Sequence, residues 1–206
     1  MLVSTSILSI KEDMELKLEQ LNATDTDYIH LDVMDGIFVE NKTEDYMPLK
    51  TRLKKPLDIH FMVEDVPRYI EHYHSLEPVY MTFHVEVKNN VEKLIDMIHQ
   101  YGIKVGISLK PDTPVAFLLP YLDKIDMVLV MSVEPGRGGQ EFLESANDKI
   151  HFLDDIRKEK NYQYLIEVDG GINEETKHLC THADILVAGS FIVNHDKFQE
   201  QIDKLR

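Results

Sequence analysis

The chain is predicted to be an α/β protein, a single-domain (β/α)8 barrel spanning residues 1–206. Two observations carry this. Eight strand-like runs alternate with amphipathic helical stretches over about 200 residues. Four of those strands also carry His, Asp or Glu on one face and Val, Ile, Leu or Phe on the other. An open doubly wound sheet lies under helices on both sides, so both its faces should be apolar. Polar side chains gathered near the carboxyl ends of the strands fit the inner face of a closed barrel.

Each element has its own justification. The first strand is expected at Val3–Leu8, followed by a helix over Glu12–Leu21. The second, Tyr28–Val33, runs into the segment His30-Leu31-Asp32-Val33-Met34-Asp35-Gly36. Strand side chains alternate with period two, so His30, Asp32 and Met34 share one face while Leu31 and Val33 take the other. A buried, unpaired carboxylate is costly, and a metal or a proton-transfer task would account for one here. The third strand, Leu57–Met62, repeats the construction with Asp58, His60 and Met62. The fourth, Val79–His84, leads into Thr82-Phe83-His84-Val85-Glu86, again alternating. A helix over Val91–Tyr101 is stopped by Gly102. Strands five and six are expected at Ile103–Leu109 and Met127–Met131, with a helix over Ala146–Lys158. Strand seven, Tyr164–Val168, places Glu167 and Asp169 on one face and precedes a helix over Glu174–Thr181. Strand eight is Ile185–Ala188.

The bulk composition narrows the function. With 43% hydrophobic and 29% charged residues, the chain reads as a soluble globular protein. No apolar run approaches the ~18 residues of a membrane span, and no signal peptide is visible. The one cysteine, Cys180, excludes an intramolecular disulfide and is compatible with a cytoplasmic location. A net charge of −15 argues against nucleic acid or an anionic membrane as partner. It also means that an anionic substrate would have to be held by local backbone N–H groups. Glycine clusters lie just past predicted strands: Gly136 with Gly138-Gly139, Gly170-Gly171, and Gly189-Ser190. Glycine lets backbone N–H groups approach a ligand closely, and barrels of this kind commonly hold phosphate after strands seven and eight.

Taken in order, these motifs resemble the ribulose-phosphate 3-epimerases, a TIM-barrel family of ketose-phosphate epimerases. The resemblance runs nearly end to end. It covers Ser6-Ile7-Leu8-Ser9, the segment from His30 to Gly36, Asp58-Ile59-His60-Phe61-Met62-Val63 and Thr82-Phe83-His84. It continues through Val130 to Gly136, Gly138-Gly139-Gln140, Glu167-Val168-Asp169-Gly170-Gly171-Ile172 and Leu186 to Ser190. It implies an isomerase of carbohydrate metabolism, in the pentose phosphate pathway, that works on a phosphorylated ketose as a homo-oligomer. His30, Asp32, His60 and Asp169 match the family's ligands for one divalent metal ion. That mixed nitrogen and oxygen set suits Zn, Fe, Mn or Co without ranking them. Asp32 and Asp169 also match its acid/base pair, one removing a proton and the other returning one to the opposite face through an enediolate. Ser6, His60, Met34, Met62 and Met131 match residues around the family's substrate. The glycine loops, with Gly136, Arg137, Gly138, Gly139, Gly170, Gly171, Gly189 and Ser190, are expected at its phosphate end.

Departures from the family pattern fall outside the metal and acid/base set. The segment Glu40-Asn41-Lys42-Thr43-Glu44-Asp45 lacks the usual proline and glycine, so it is expected to order only around substrate. Thr5 replaces a usual proline, Lys110 a usual asparagine, and Arg137 a usual aromatic residue. Related decarboxylases and synthases carry an Asp-x-Lys-x-x-Asp array, whereas the strand here reads Asp58-Ile59-His60, without lysine. Two further functions are compatible with the same motifs: epimerisation of a six-carbon ketose phosphate, such as allulose 6-phosphate, and phosphosugar binding by a non-catalytic barrel.

Overall fold

In the computed structural model, which describes Met1–Arg206, eight parallel strands close into a barrel in chain order, and the last pairs back onto the first. They are β1 (Leu2–Ser6), β2 (Tyr28–Met34), β3 (Leu57–Met62), β4 (Tyr80–His84), β5 (Lys104–Leu109), β6 (Met127–Met131), β7 (Leu165–Asp169) and β8 (Ile185–Ala188). All eight coincide with predicted runs, and the largest difference is at β1, which stops at Ser6 rather than Leu8. There the chain turns: the Leu8 amide donates to Ser6 Oγ and the Ile10 amide to the Ile7 carbonyl.

The helices are α1 (Met14–Asn22), α2 (Val66–Tyr73), α3 (Val91–Gln100), α4 (Ser145–Lys160), α5 (Ser190–Val193) and α6 (Phe198–Leu205). Helix α3 illustrates the local logic. Asn90 caps it by accepting the Lys93 amide, and Val91, Leu94, Ile95 and Ile98 form its buried stripe. Gly102, at φ +71°, follows its end. After β2, β5 and β7 the expected helix is replaced by a short 3-10 turn, at Met47–Leu49, Val115–Phe117 and Lys177–Cys180. The helix expected over Glu174–Thr181 is therefore absent. Asn173 Oδ1 accepts the amides of Glu175 and Thr176, and the Thr176 hydroxyl donates to the Gly171 carbonyl. Asn173 thus caps this turn as it would a helix, and the Lys177 amide donates to the Asn173 carbonyl, but the chain then tightens into the 3-10 turn instead of continuing as a helix.

Outward-facing strand residues, among them Leu31, Val33, Ile59, Phe61, Phe83, Val130 and Val168, join the helices in a core of 50 buried residues. Each such side chain contributes about 1.5–3 kcal/mol on burial, and alternation then forces its strand neighbours inward. Tyr80, Met127 and Ile185 pack together inside one end of the barrel. Toward the other end the register sets Asp32 beside His60, Met34 beside Met62, and Met131 beside Asp169. No helix is long and apolar enough to cross a membrane.

Candidate active site

The ends of β2, β3 and β7 bring His30, Asp32, His60 and Asp169 together. One donor atom from each lies within 4.8 Å of every other. Asp32 Oδ1 is 3.5 Å from both His30 Nε2 and His60 Nδ1, and Asp169 Oδ2 is 3.9 Å from His60 Nδ1. Asp32 Oδ2 accepts the Ser6 hydroxyl at 2.7 Å. Both imidazoles are fully buried, yet His30 Nε2 and His60 Nδ1 have no hydrogen-bond partner. Leaving buried polar atoms unpaired is costly, and both orphaned nitrogens face the two carboxylates. A divalent cation among them would satisfy all four residues, and the donor set suits first-row metals, so the site fits a metal ion.

The remaining nitrogens are tied to groups farther from the centre. His30 Nδ1 lies 2.6 Å from Asp58 Oδ2, which also accepts the Ser4 hydroxyl. His60 Nε2 lies 2.8 Å from His84 Nε2, and His84 Nδ1 lies 3.1 Å from Glu86 Oε2. Burial works to discharge His30, but Asp58 and Asp32 outweigh it and raise the ring well above the ordinary imidazole range. Burial also opposes ionisation of Asp32, but the neighbouring His30 outweighs it and holds the carboxyl well below the usual carboxylate range. Asp169 goes the other way. Burial and the neighbouring Asp32 charge push it up to about 6. Burial and Asp58 likewise raise Glu167, whose carboxyl oxygens have no partner, well above the carboxylate range. His84 is lowered to about 4, first by burial.

Asp32 and Asp169 open into a cavity of about 410 Å³. Ser6, Met34, Met62 and Met131 line it around the two carboxylates. Gly136, Arg137, Gly138 and Gly139 line it from the loop after β6. Gly170, Gly171, Gly189 and Ser190 line it from the loops after β7 and β8. Every predicted substrate-side residue except His60 is thus on this wall, while His30 and His60 lie beneath it, fully buried. Two glycines are sterically required. At Gly170 (φ +123°) an added Cβ would fall 2.4 Å from Val133 Cγ2; at Gly171 (φ +63°) it would fall 2.6 Å from the Phe142 amide nitrogen.

The sequence profile of the ribulose-phosphate 3-epimerase family matches residues 2–193. The chain belongs to that family. It is 40% identical over 182 residues to the ribulose-phosphate 3-epimerase of Treponema pallidum (strain Nichols), covering 86% of this chain and 84% of that one. It is 34% identical to the enzyme of the same name from Escherichia coli K12, covering 100% and 94%. Among solved structures, 3-hexulose-6-phosphate synthase from Salmonella typhimurium superposes with a TM-score of 0.72 at 14% identity, covering 100% and 96%; at that identity the likeness is one of fold.

Family motifs lead to His30, Asp32, His60 and Asp169 but not to the whole cavity. Ser9, Gln140, Asn173, Asn194 and His195 also line it. Ser9 and Gln140 lie within matched segments and Asn173 adjoins one, which is a usable signal. His195 reads in sequence as an ordinary loop histidine, and only the path of the chain beyond α5 brings it to the wall. The Glu40–Asp45 segment is tied down despite its missing proline. Lys42 bridges to Asp35, Thr43 exchanges hydrogen bonds with the Met34 backbone, and Asn41 Nδ2 donates to the Gly136 carbonyl. Asp45 accepts the Tyr73 hydroxyl and the Met47 amide. Lys110 places its ammonium 4.3 Å from the Phe38 ring centroid.

Proposed function

We propose that the chain catalyses the 3-epimerisation of D-ribulose 5-phosphate and D-xylulose 5-phosphate, using His30, Asp32, His60 and Asp169 to hold one divalent metal ion. The observation that carries this is the pair of carboxylates, Asp32 and Asp169, facing one cavity from non-adjacent strands with two orphaned imidazole nitrogens between them. When bound, the cation supplies positive charge that stabilises negative charge developing on the substrate's carbonyl and hydroxyl oxygens. One Asp removes the proton at C3, giving an enediolate, and the other delivers a proton to the opposite face. Each positioned acid or base is worth about 10²–10⁴-fold. The Ser6 hydroxyl fixes the orientation of Asp32 through Oδ2. Met34, Met62 and Met131, each almost fully buried, exclude water and lower the local dielectric around the reacting carbon.

The phosphate is placed against the backbone N–H groups of the Gly170-Gly171 and Gly189-Ser190 loops, with Gly136, Gly138 and Gly139 opposite and Arg137 at the exposed rim. Local donors suit a chain whose net charge of −15 would otherwise repel a dianion. The same charge disfavours nucleic acid and anionic membranes. The one cysteine, Cys180, is free and buried, which is compatible with a cytoplasmic location, and the family resemblance supports a single-domain enzyme working as a homo-oligomer.

The test is Asp32→Asn and Asp169→Asn, each loaded with metal and assayed for turnover and for exchange of the C3 proton with deuterated solvent. Each variant should lose nearly all epimerisation, while exchange from the face served by the surviving Asp persists. Turnover near wild type in either variant would remove the two-base mechanism.

A further inference from the structure

The inner face of the fourth strand continues past the metal set. His84 and Glu86 alternate onto it, and neither belongs to the ligands or the acid/base pair. They form a hydrogen-bonded line leading away from His60. Its steps are His60 Nε2 to His84 Nε2 at 2.8 Å, His84 Nδ1 to Glu86 Oε2 at 3.1 Å, and the Lys110 amide donating to Glu86 Oε1 at 2.8 Å. The rings of His60 and His84 are stacked, with centroids 4.9 Å apart, and Phe38 packs against His84 at 4.9 Å. His84 is fully buried, so water does not substitute for any of these partners.

The direction of every proton on this line follows from its far end. A backbone N–H can only donate, and an ionised carboxylate can only accept. Glu86 therefore takes the Lys110 amide on one oxygen and requires the other to face a donor, which places the His84 proton on Nδ1. A neutral imidazole with its proton on Nδ1 offers a lone pair at Nε2. The only group facing that lone pair is His60 Nε2, which must then carry the His60 proton. What remains on His60 is a lone pair at Nδ1, the orphaned nitrogen aimed at Asp32 and Asp169. A metal ligand needs that lone pair, and the wrong tautomer would present a proton to the cation.

We propose that Glu86 and His84 are positioning residues whose relay, anchored by the Lys110 amide, holds His60 in the tautomer that leaves Nδ1 free to bind the metal ion. The functional consequence rests on the metal-site reading above; the tautomer itself does not.

Glu86→Gln is the decisive variant because it is nearly isosteric and reverses the line. The Lys110 amide still demands an acceptor, so the new carbonyl turns toward it and the new NH2 toward His84 Nδ1. In the opposite flip the NH2 would meet the Lys110 amide, which cannot become an acceptor. The imidazoles can yield, so both should shift their protons, leaving His60 protonated at Nδ1. Histidine nitrogen NMR on the metal-free protein reads the tautomers directly, and titration with Co(II), followed by its d–d absorption, reads affinity. Wild type should show His84 as Nδ1–H and His60 as Nε2–H. Glu86→Gln should invert both and weaken Co(II) binding about 10–100-fold, the usual cost of losing such an outer partner. Glu86→Asp, which keeps the carboxylate, should restore the wild-type tautomers and recover affinity. A wild-type His60 protonated at Nδ1, or a folded Glu86→Gln with unchanged tautomers and affinity, would overturn the relay. If Glu86→Gln fails to fold, the tautomers of wild type and Glu86→Asp decide. Correct tautomers in a wild type that binds no Co(II) would uphold the relay and refute the metal site instead.

Discussion

Gly171→Ala separates a phosphate-holding loop from an ordinary turn. At φ +63°, any residue with a Cβ carries left-handed strain of about 1–2 kcal/mol. The new Cβ would also lie 2.6 Å from the Phe142 amide nitrogen, 2.9 Å from the Gln140 carbonyl oxygen and 2.9 Å from Phe142 Cα. All three are backbone atoms, so no side-chain rotation relieves the contact. Reaching an ordinary 3.4 Å separation requires the loops after β6 and β7 to part by about 0.8 Å. A displacement near 1 Å in a substrate-positioning element can cost ~10²-fold in rate. Gly102→Ala is the matched control: its φ is +71°, an added Cβ meets nothing within 4 Å, and it lies outside the cavity. Both variants should lose thermal stability at roughly 2–4 °C per kcal/mol. Only Gly171→Ala should lower kcat/KM for the phosphorylated ketose, by roughly 10–100-fold, with a much smaller change for the same sugar without phosphate. A folded Gly171→Ala with wild-type kcat/KM, or one losing activity equally on both sugars, would refute the phosphate assignment.

Ser6→Ala removes the hydroxyl bonded to Asp32 Oδ2. At about 1.5–3 kcal/mol for a hydrogen bond to a charged group, kcat/KM should fall roughly 10–100-fold, and an unchanged value would show that Asp32 is oriented without it. Arg137→Phe should raise KM for the phosphorylated ketose more than it lowers kcat; an unchanged KM would dismiss the rim contact. Measured on wild type, a clear preference for a six-carbon over a five-carbon ketose phosphate would overturn the substrate assignment. Asp154 accepts hydrogen bonds from Arg157, Lys158 and His182, which outweigh burial and hold its carboxyl well below the usual range. A depressed folded pKa adds stability that is complete above the unfolded value near 3.8 and is lost as pH falls through the folded one. Asp154→Asn should therefore lower Tm at pH 7, and the gap from wild type should narrow as pH drops from about 4 toward 2. A gap independent of pH would remove the charge from the explanation.

Alternation along single strands is legible directly. His30, Asp32 and Met34 on one face, with Leu31 and Val33 on the other, require only the period of an extended chain. The same is true of Asp58, His60 and Met62, and of Glu167 and Asp169. The family resemblance then points to His30, Asp32, His60 and Asp169 as the candidate metal and acid/base residues, because they lie in short contiguous segments. Where a helix-like run stops short is less visible: Glu174–Thr181 has helical character and Asn173 caps its start, but the chain tightens into a 3-10 turn at Lys177–Cys180. The missing proline makes the Glu40–Asp45 loop read as loose. Its restraints come from Met34, Asp35, Gly136 and Tyr73, all outside the segment, at the barrel mouth or on α2.

The sequence by itself determined which side chains each strand turns inward, because that depends on two-residue periodicity and on the need to bury Leu, Val, Ile and Phe beneath the helices. Tertiary structure alone decided which inward side chains meet. Barrel closure and strand register set Asp32 against His60, carried Asp169 to both, and placed His84 behind His60 with Glu86 and the Lys110 amide beyond it. Apart from the His84–Glu86 pair, those contacts join residues tens of positions apart. Their distances are set by the tilt and stagger of eight paired strands, which no local pattern encodes.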